Sequence, residues 1–191
     1  MKQTLTEKDY QEAARMLGCE VAAIKAVAEV ESSGDGFLPS GEPKILFERH
    51  KFSEFTKGKY DLNFPDISNK KPGGYVGGQA EHRRLQVAVK LDRTAALMAA
   101  SWGKFQIMGF NYKEAGYKDL QTFINAAYNS EADHLLMFVN FIKSKNLAKY
   151  LINKDWAGFA YRYNGAGYKA NRYDEKMLAA YRKYSNKTYQ S

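Results

Sequence analysis

The chain has 191 residues, 45% of them hydrophobic and 26% charged, a balance that excludes a disordered polymer and suits one well-packed domain. No apolar run approaches the length of a membrane span, and the single cysteine, Cys19, excludes an intrachain disulfide and reads as a small buried hydrophobe. The net charge of +8 is unevenly placed: residues 1–142 hold 18 basic and 18 acidic side chains and residues 143–191 hold 11 against 3, so a basic end on a neutral body suits either an anionic polymer or a plain solvated helical face.

The N-terminal "MKQTLTEKDYQ" lacks the apolar core of a secretory signal, which implies synthesis in a reducing cytosol without export by the general secretory route. "LTEKDYQEAARMLG" predicts a helix, with Thr6 as N-cap, Asp9 three residues on, a stripe of Tyr10, Ala13, Ala14 and Leu17, and Gly18 as terminator. A second helix is expected from about Glu20 to Ser32, followed by the breaker-rich loop "SSGDGFLPSGEP". "KILFERHKF" alternates enough to predict a short strand or hairpin arm, placing a small β-hairpin region near residues 43–56. "DISNKKPGGYVGGQ" is a loop with two glycine pairs and no Gly-Lys-Ser/Thr ending, so it is not a phosphate-binding loop. From about Glu81 the pattern is helical again. "DRTAALMAASWG" is read as helix to Gly103, "LQTFINAAYNSEADHLLMFVNFIKSKN" as one or two helices, and "DWAGFAYRYNG" as another. "YDEKMLAAYRKY" closes the chain with Met177, Tyr181 and Tyr184 on one stripe. The expectation is a mostly α (α+β) single domain over residues 1–191, with a short mobile tail from about 185 and no separate wall-binding domain.

Two glutamates at the end of the second helix differ in direction. At about 100° per residue, Glu31 falls in the middle of the apolar arc of Ile24, Val27 and Ala28, whereas Glu29 lies roughly 160° away beside Lys25, with which it is spaced to pair. Glu31 is thus aimed at the core from the last turn of a helix. Lost hydration and the negative end of the helix dipole both favour its protonated form, the condition for a general acid near neutral pH. A structural carboxylate bonded to a buried backbone group would show the same pattern. His50, His82 and His134 have no metal-ligand spacing, and no nucleophile elbow is present. Paired-carboxylate chemistry remains, with Asp35, Glu48 and Asp66 as candidates for a second acid. Glu48, on the "ILFERH" strand, suits that role or a surface pair with Arg49, and Asp35 suits a cap on the Gly34/Gly36 turn.

Three blocks, "VAEVESSGDGF…GEPKILFERHKF", "ASWGKFQIMGFNY" and "FAYRYNGAGYKANRYDEKM", occur in the order found in the N-acetylmuramidase family of phage and prophage endolysins, which the chain resembles over about residues 10–184. That family lies in the lysozyme-like superfamily, beside goose-type lysozymes and soluble lytic transglycosylases. The resemblance implies a lysozyme-like fold and Glu31, in Glu31-Ser32, as catalytic acid. It also implies that Ser101, Gln106 and Met108 line the cleft near Glu31, and that Tyr163 and Asn164 form the Tyr-Asn pair whose tyrosine contacts the catalytic carboxyl group. Glu48, in the "ILFE" block, is the choice for second catalytic acid. The Glu-x8-Asp-x5-Thr spacing of another class of phage lysozymes is absent, those offsets landing on Ser40 and Leu46.

The implied activity is hydrolysis of the β-1,4 bond between N-acetylmuramic acid and N-acetylglucosamine for host lysis, with a lytic transglycosylase as the alternative. A non-catalytic wall-binding or nucleic-acid-binding module is the alternative of another class. No metal or organic cofactor is implied. The expected partner of a monomer is the peptidoglycan glycan strand, not nucleic acid, with the basic C-terminal region meeting an anionic envelope or outer membrane. The expected route is from the host cytoplasm to the wall after a holin permeabilises the membrane.

Overall fold

A computed structural model describes residues 4–32 and 34–188. Its elements run α1 (Glu7–Leu17), α2 (Val21–Glu31), β1 (Ile45–Phe47), α3 (Arg49–Phe55), α4 (Gly78–Leu91), α5 (Arg93–Met98), β2 (Ala100–Trp102), β3 (Ile107–Met108), α6 (Leu120–Ala127), α7 (Glu131–Ser144), α8 (Ala148–Ile152), α9 (Trp156–Asn164) and α10 (Tyr173–Thr188), with short 3-10 turns at Gly109–Asn111 and Ala166–Asn171. The start of α1 is set locally: Thr6 caps Asp9 N–H while the Asp9 carboxylate takes Thr6 N–H, and Gly18 ends the helix in the left-handed region.

The sheet corrects the expected hairpin. Only Ile45–Phe47 is strand, and residues 49–55 are helical, because Phe52 and Phe55 are spaced for one helical face after Glu48 opens α3. The hairpin is instead β2–β3, whose first strand lies inside the segment expected to stay helical to Gly103. Asp92 caps α5 through Ala95 N–H, the helix ends at Met98, and the chain turns to pair Ala100–Trp102 with β1. The three strands are antiparallel in the order β1-β2-β3, with Leu46 opposite Ser101 and Ser101 opposite Met108. Their other face, Ile45, Phe47, Trp102 and Ile107, is core.

Helix α2 packs against α10, α1 and α8. Six of its eleven residues are buried, four of them alanines, which allow neighbouring helices to approach closely. On α10, Met177 and Ala180 are buried, so the stripe that the sequence offers as an amphipathic face is spent on packing. The expected Glu29–Lys25 pair does not form. Lys25 reaches Glu7, and Glu29 instead accepts from Lys183 Nζ (2.7 Å) and from the Tyr184 hydroxyl, because α10 covers that side of α2. Helix α10 also continues to Thr188, past the expected start of a mobile tail; residues 189–191 lie outside the described residues.

Candidate active site

Glu31 is the last residue of α2, and its carboxylate lies where α2 meets the end of α9. Asn164, the last residue of α9, donates from Nδ2 to Glu31 Oε2 at 3.0 Å. The other oxygen, Oε1, is buried without a hydrogen-bond partner, as is Asn164 Oδ1. Burial therefore pushes the Glu31 carboxyl up to about 7, and the single Asn164 bond offsets only part of that. Tyr163 contributes an apolar wall. Its ring stacks on Phe159 (5.4 Å between centroids) and meets Phe138 and Phe141 edge-on. Burial, then the nearby Glu31 charge, raises its phenol beyond any physiological range. Tyr163 is accordingly neutral wherever Glu31 titrates. The arrangement is a carboxyl that holds its proton well above the ordinary carboxylate range, with one oxygen placed to donate it.

The loop after Glu31 is held by side chains that the sequence does not mark. Glu131, nearly buried at the start of α7, accepts Gly36 N–H at 2.6 Å, so it and not Asp35 is seen to hold that turn. Lys104, between β2 and β3, donates to Gly34 O (2.8 Å) and to Glu131, tying the loop to the hairpin. His134 Nδ1 accepts Lys104 N–H, which leaves its Nε2–H to donate to Ala127 O. Burial lowers its proton affinity, consistent with that neutral ring. A Cβ at Gly36 or Gly103 would lie 2.5 or 2.7 Å from the His134 ring, so only glycine admits this approach.

The second cluster lies on the half-exposed face of the sheet. Strand alternation puts Leu46, Glu48, Ser101 and Met108 on that side, and Glu48 continues the ladder through its N–H to Ala99 O. Ser101 Oγ donates to Gln106 Oε1 (2.7 Å), while Gln106 Nε2 donates to Gly103 O (2.8 Å) and Lys44 O (3.3 Å). Gln106 does this from a left-handed backbone, φ +51°, an uncommon state for a side-chain-bearing residue. Ser101 and Gln106 thus brace the hairpin against the start of β1. Gln106, Lys44, Leu46, Leu38 and Gly78 line a hollow of about 230 Å³.

Glu48 Oε2 accepts from the Tyr75 hydroxyl at 2.7 Å and lies 3.2 Å from His50 Nδ1. The anticipated Arg49 partner instead donates to the carbonyls of Lys71 and Pro72. Below this cluster Glu81 is fully buried. Burial opposes its charge, but N–H groups of Val76, Phe47 and Gly77 and the Arg84 guanidinium (2.9 Å) outweigh that and hold it below the usual carboxylate range.

The structure joins Glu31 with Asn164 and Tyr163, and Ser101 with Gln106, Met108 and the Glu48 strand. Asp35 and Asp66, the other candidate acids, are exposed. Cys19 is half-buried, and burial pushes its thiol up to about 11, which leaves it protonated and unreactive at neutral pH. Tyr75, Glu81, Glu131 and His134 are what sequence reasoning missed. Only Tyr75 carried a signal, as the aromatic between two glycine pairs. Among the described residues no group of three or more His, Cys, Asp and Glu side chains is placed to hold a metal ion.

The N-acetylmuramidase family model matches residues 20–185, which include Glu31, Glu48, Ser101, Gln106, Met108, Tyr163 and Asn164. Comparison with curated proteins gives no match. Among solved structures, the endolysin of Burkholderia phage AP3 is similar at 44% identity and a TM-score of 0.91, over 96% of this chain and 72% of that one. A small antiparallel sheet packed among helices agrees with that likeness. The chain belongs to the N-acetylmuramidase family and is a glycoside hydrolase whose substrate is peptidoglycan.

Proposed function

We propose that Glu31 is the general acid and Glu48 the second carboxylate of an endolysin that hydrolyses the β-1,4 bond between N-acetylmuramic acid and N-acetylglucosamine. The observation that carries this reading is the Glu31 carboxyl, raised to about 7 with one oxygen unpartnered. Glu31 gives its proton to the glycosidic oxygen as the C1–O bond breaks. Glu48, steadied by Tyr75, takes a proton from the attacking water or faces the oxocarbenium-like centre. Water's hydroxyl joins C1, and the proton it loses passes to Glu48, or to the Glu31 carboxylate where Glu48 only faces the cation; exchange with solvent then restores the protonated acid and the free carboxylate. Tyr163 and Asn164 set the acid, and Ser101, Gln106 and Met108 shape the sheet side of the cleft.

The basic C-terminal quarter would hold the enzyme at the anionic envelope through exposed Lys169, Lys176 and Arg182. Its apolar stripe is not available for this, being packed on α2. Mass spectrometry of sugars released from purified peptidoglycan tests the reaction. Reducing N-acetylmuramic ends are expected, absent with Glu31→Gln. Anhydro ends would make the enzyme a transglycosylase, and N-acetylglucosamine reducing ends would overturn the assignment.

A further inference from the structure

One apolar surface lies beside Glu48, and only the Tyr75 hydroxyl in it has a role so far. Tyr75 and Val76 form the tip of the loop before α4, 45% and 60% exposed. Gly73-Gly74 and Gly77-Gly78 flank them, all four with φ between +53° and +93°. An exposed tip on four glycines would ordinarily be loose, yet this one is anchored from below on both sides. On one side, Glu81 accepts Val76 N–H (2.6 Å) and Gly77 N–H (3.1 Å) from a fully buried position. On the other, Arg49 donates to the carbonyls of Lys71 and Pro72, and a Cβ at Gly74 would lie 2.9 Å from its Nη1. Two large apolar side chains are thus presented to water by a built support, beside the hollow lined by Gly78, Leu46 and Gln106.

We propose that Tyr75 is a glycan-binding residue, its ring a platform for one sugar of the strand and its hydroxyl the group that orients Glu48 toward that sugar. This rests on the reading of Glu48 as the second carboxylate. The C–H groups on a pyranose face carry slight positive charge and meet the negative π-face of an aromatic ring. A tyrosine supplies such a face at low entropic cost, since only two side-chain torsions must be ordered. Its bond to Glu48 orders the ring before the sugar arrives, and so reduces the cost of binding. The same bond leaves Glu48 one favoured direction. The glycines admit the close, left-handed turns that lift the ring above the sheet.

The test uses a soluble tetrasaccharide of alternating N-acetylglucosamine and N-acetylmuramic acid, titrated calorimetrically into the full chain carrying Glu31→Gln so that nothing is cleaved. Adding Tyr75→Ala weakens binding on the order of tenfold, and adding Tyr75→Phe leaves it within about twofold. In otherwise wild-type enzyme, Tyr75→Ala raises KM, whereas Tyr75→Phe lowers kcat several-fold at unchanged KM, a split that mere loosening of the loop would not produce. Tyr75→Trp, which keeps a platform, retains binding and serves if the alanine variant unfolds. Unchanged binding in Tyr75→Ala overturns the platform, and unchanged kcat in Tyr75→Phe overturns the orienting role. The parent reading fails separately: full activity in Glu31→Gln refutes it whatever Tyr75 does, and full activity in Glu48→Gln removes the role of Glu48 while leaving the platform to stand on the binding data.

Discussion

Glu31 and Glu81 are the same residue type, both turned inward from helices, and their affinities for a proton move in opposite directions. Glu81 has no exposed surface, yet it is held ionised, because three backbone N–H groups and Arg84 replace the water it lost. Glu31 has one amide donor and an oxygen with none, so burial prevails and the proton stays to about pH 7. Burial alone decides neither case; the supply of donors does. The well-supplied carboxylate anchors β1, α4 and the Tyr75 loop, whereas the starved one can do acid chemistry.

The largest effect should come from the starved member. Glu31→Gln lowers turnover of purified peptidoglycan on the order of 10³-fold with an unchanged circular dichroism spectrum. Breaking the supplied member should cost stability instead: Glu81→Gln leaves Arg84 buried and uncompensated and destabilises by about 3–5 kcal/mol in chemical unfolding. The folded-state value of Glu31 lies above its ordinary 4.5, so its contribution to stability is fully present below that pH and is lost as pH rises through about 7. Glu31→Gln therefore raises stability at pH 8 by about 2–3 kcal/mol relative to pH 4, read as the difference between two denaturant titrations. Asn164→Ala removes the one bond that favours the charged form, which moves the alkaline limb of kcat to higher pH. Glu29→Gln weakens only exposed contacts, with Lys183 and the Tyr184 hydroxyl, and should change stability by less than about 0.5 kcal/mol.

Much of this contrast was legible in the sequence on one side only. The helical arc pointed Glu31 inward because eleven residues of regular helix make direction a matter of spacing. The same arithmetic put Glu29 on the outer face but gave it the wrong partner, since the α10 cation that reaches it is 154 residues away. The strand at Ile45–Phe47 fell where it was expected, but β2 and β3 were missed because they are two or three residues long, too short for alternation to outweigh an alanine-rich helical run. Glu81 and Glu131 read as ordinary acids in the first turn of a helix. Their burial depends on which loops fold over them, and no local pattern encodes that.

The central claim is that Glu31 holds its proton well above the ordinary carboxylate range, up to about pH 7. A carbon-13 NMR titration of the side-chain carboxyls, with Glu31 assigned by its loss in Glu31→Gln, measures this directly. A midpoint near 7 is the result expected from the burial of Glu31 and its single amide donor. A midpoint between 4 and 5, the ordinary glutamate range, would mean that Glu31 is ionised in the working enzyme and would contradict its role as acid.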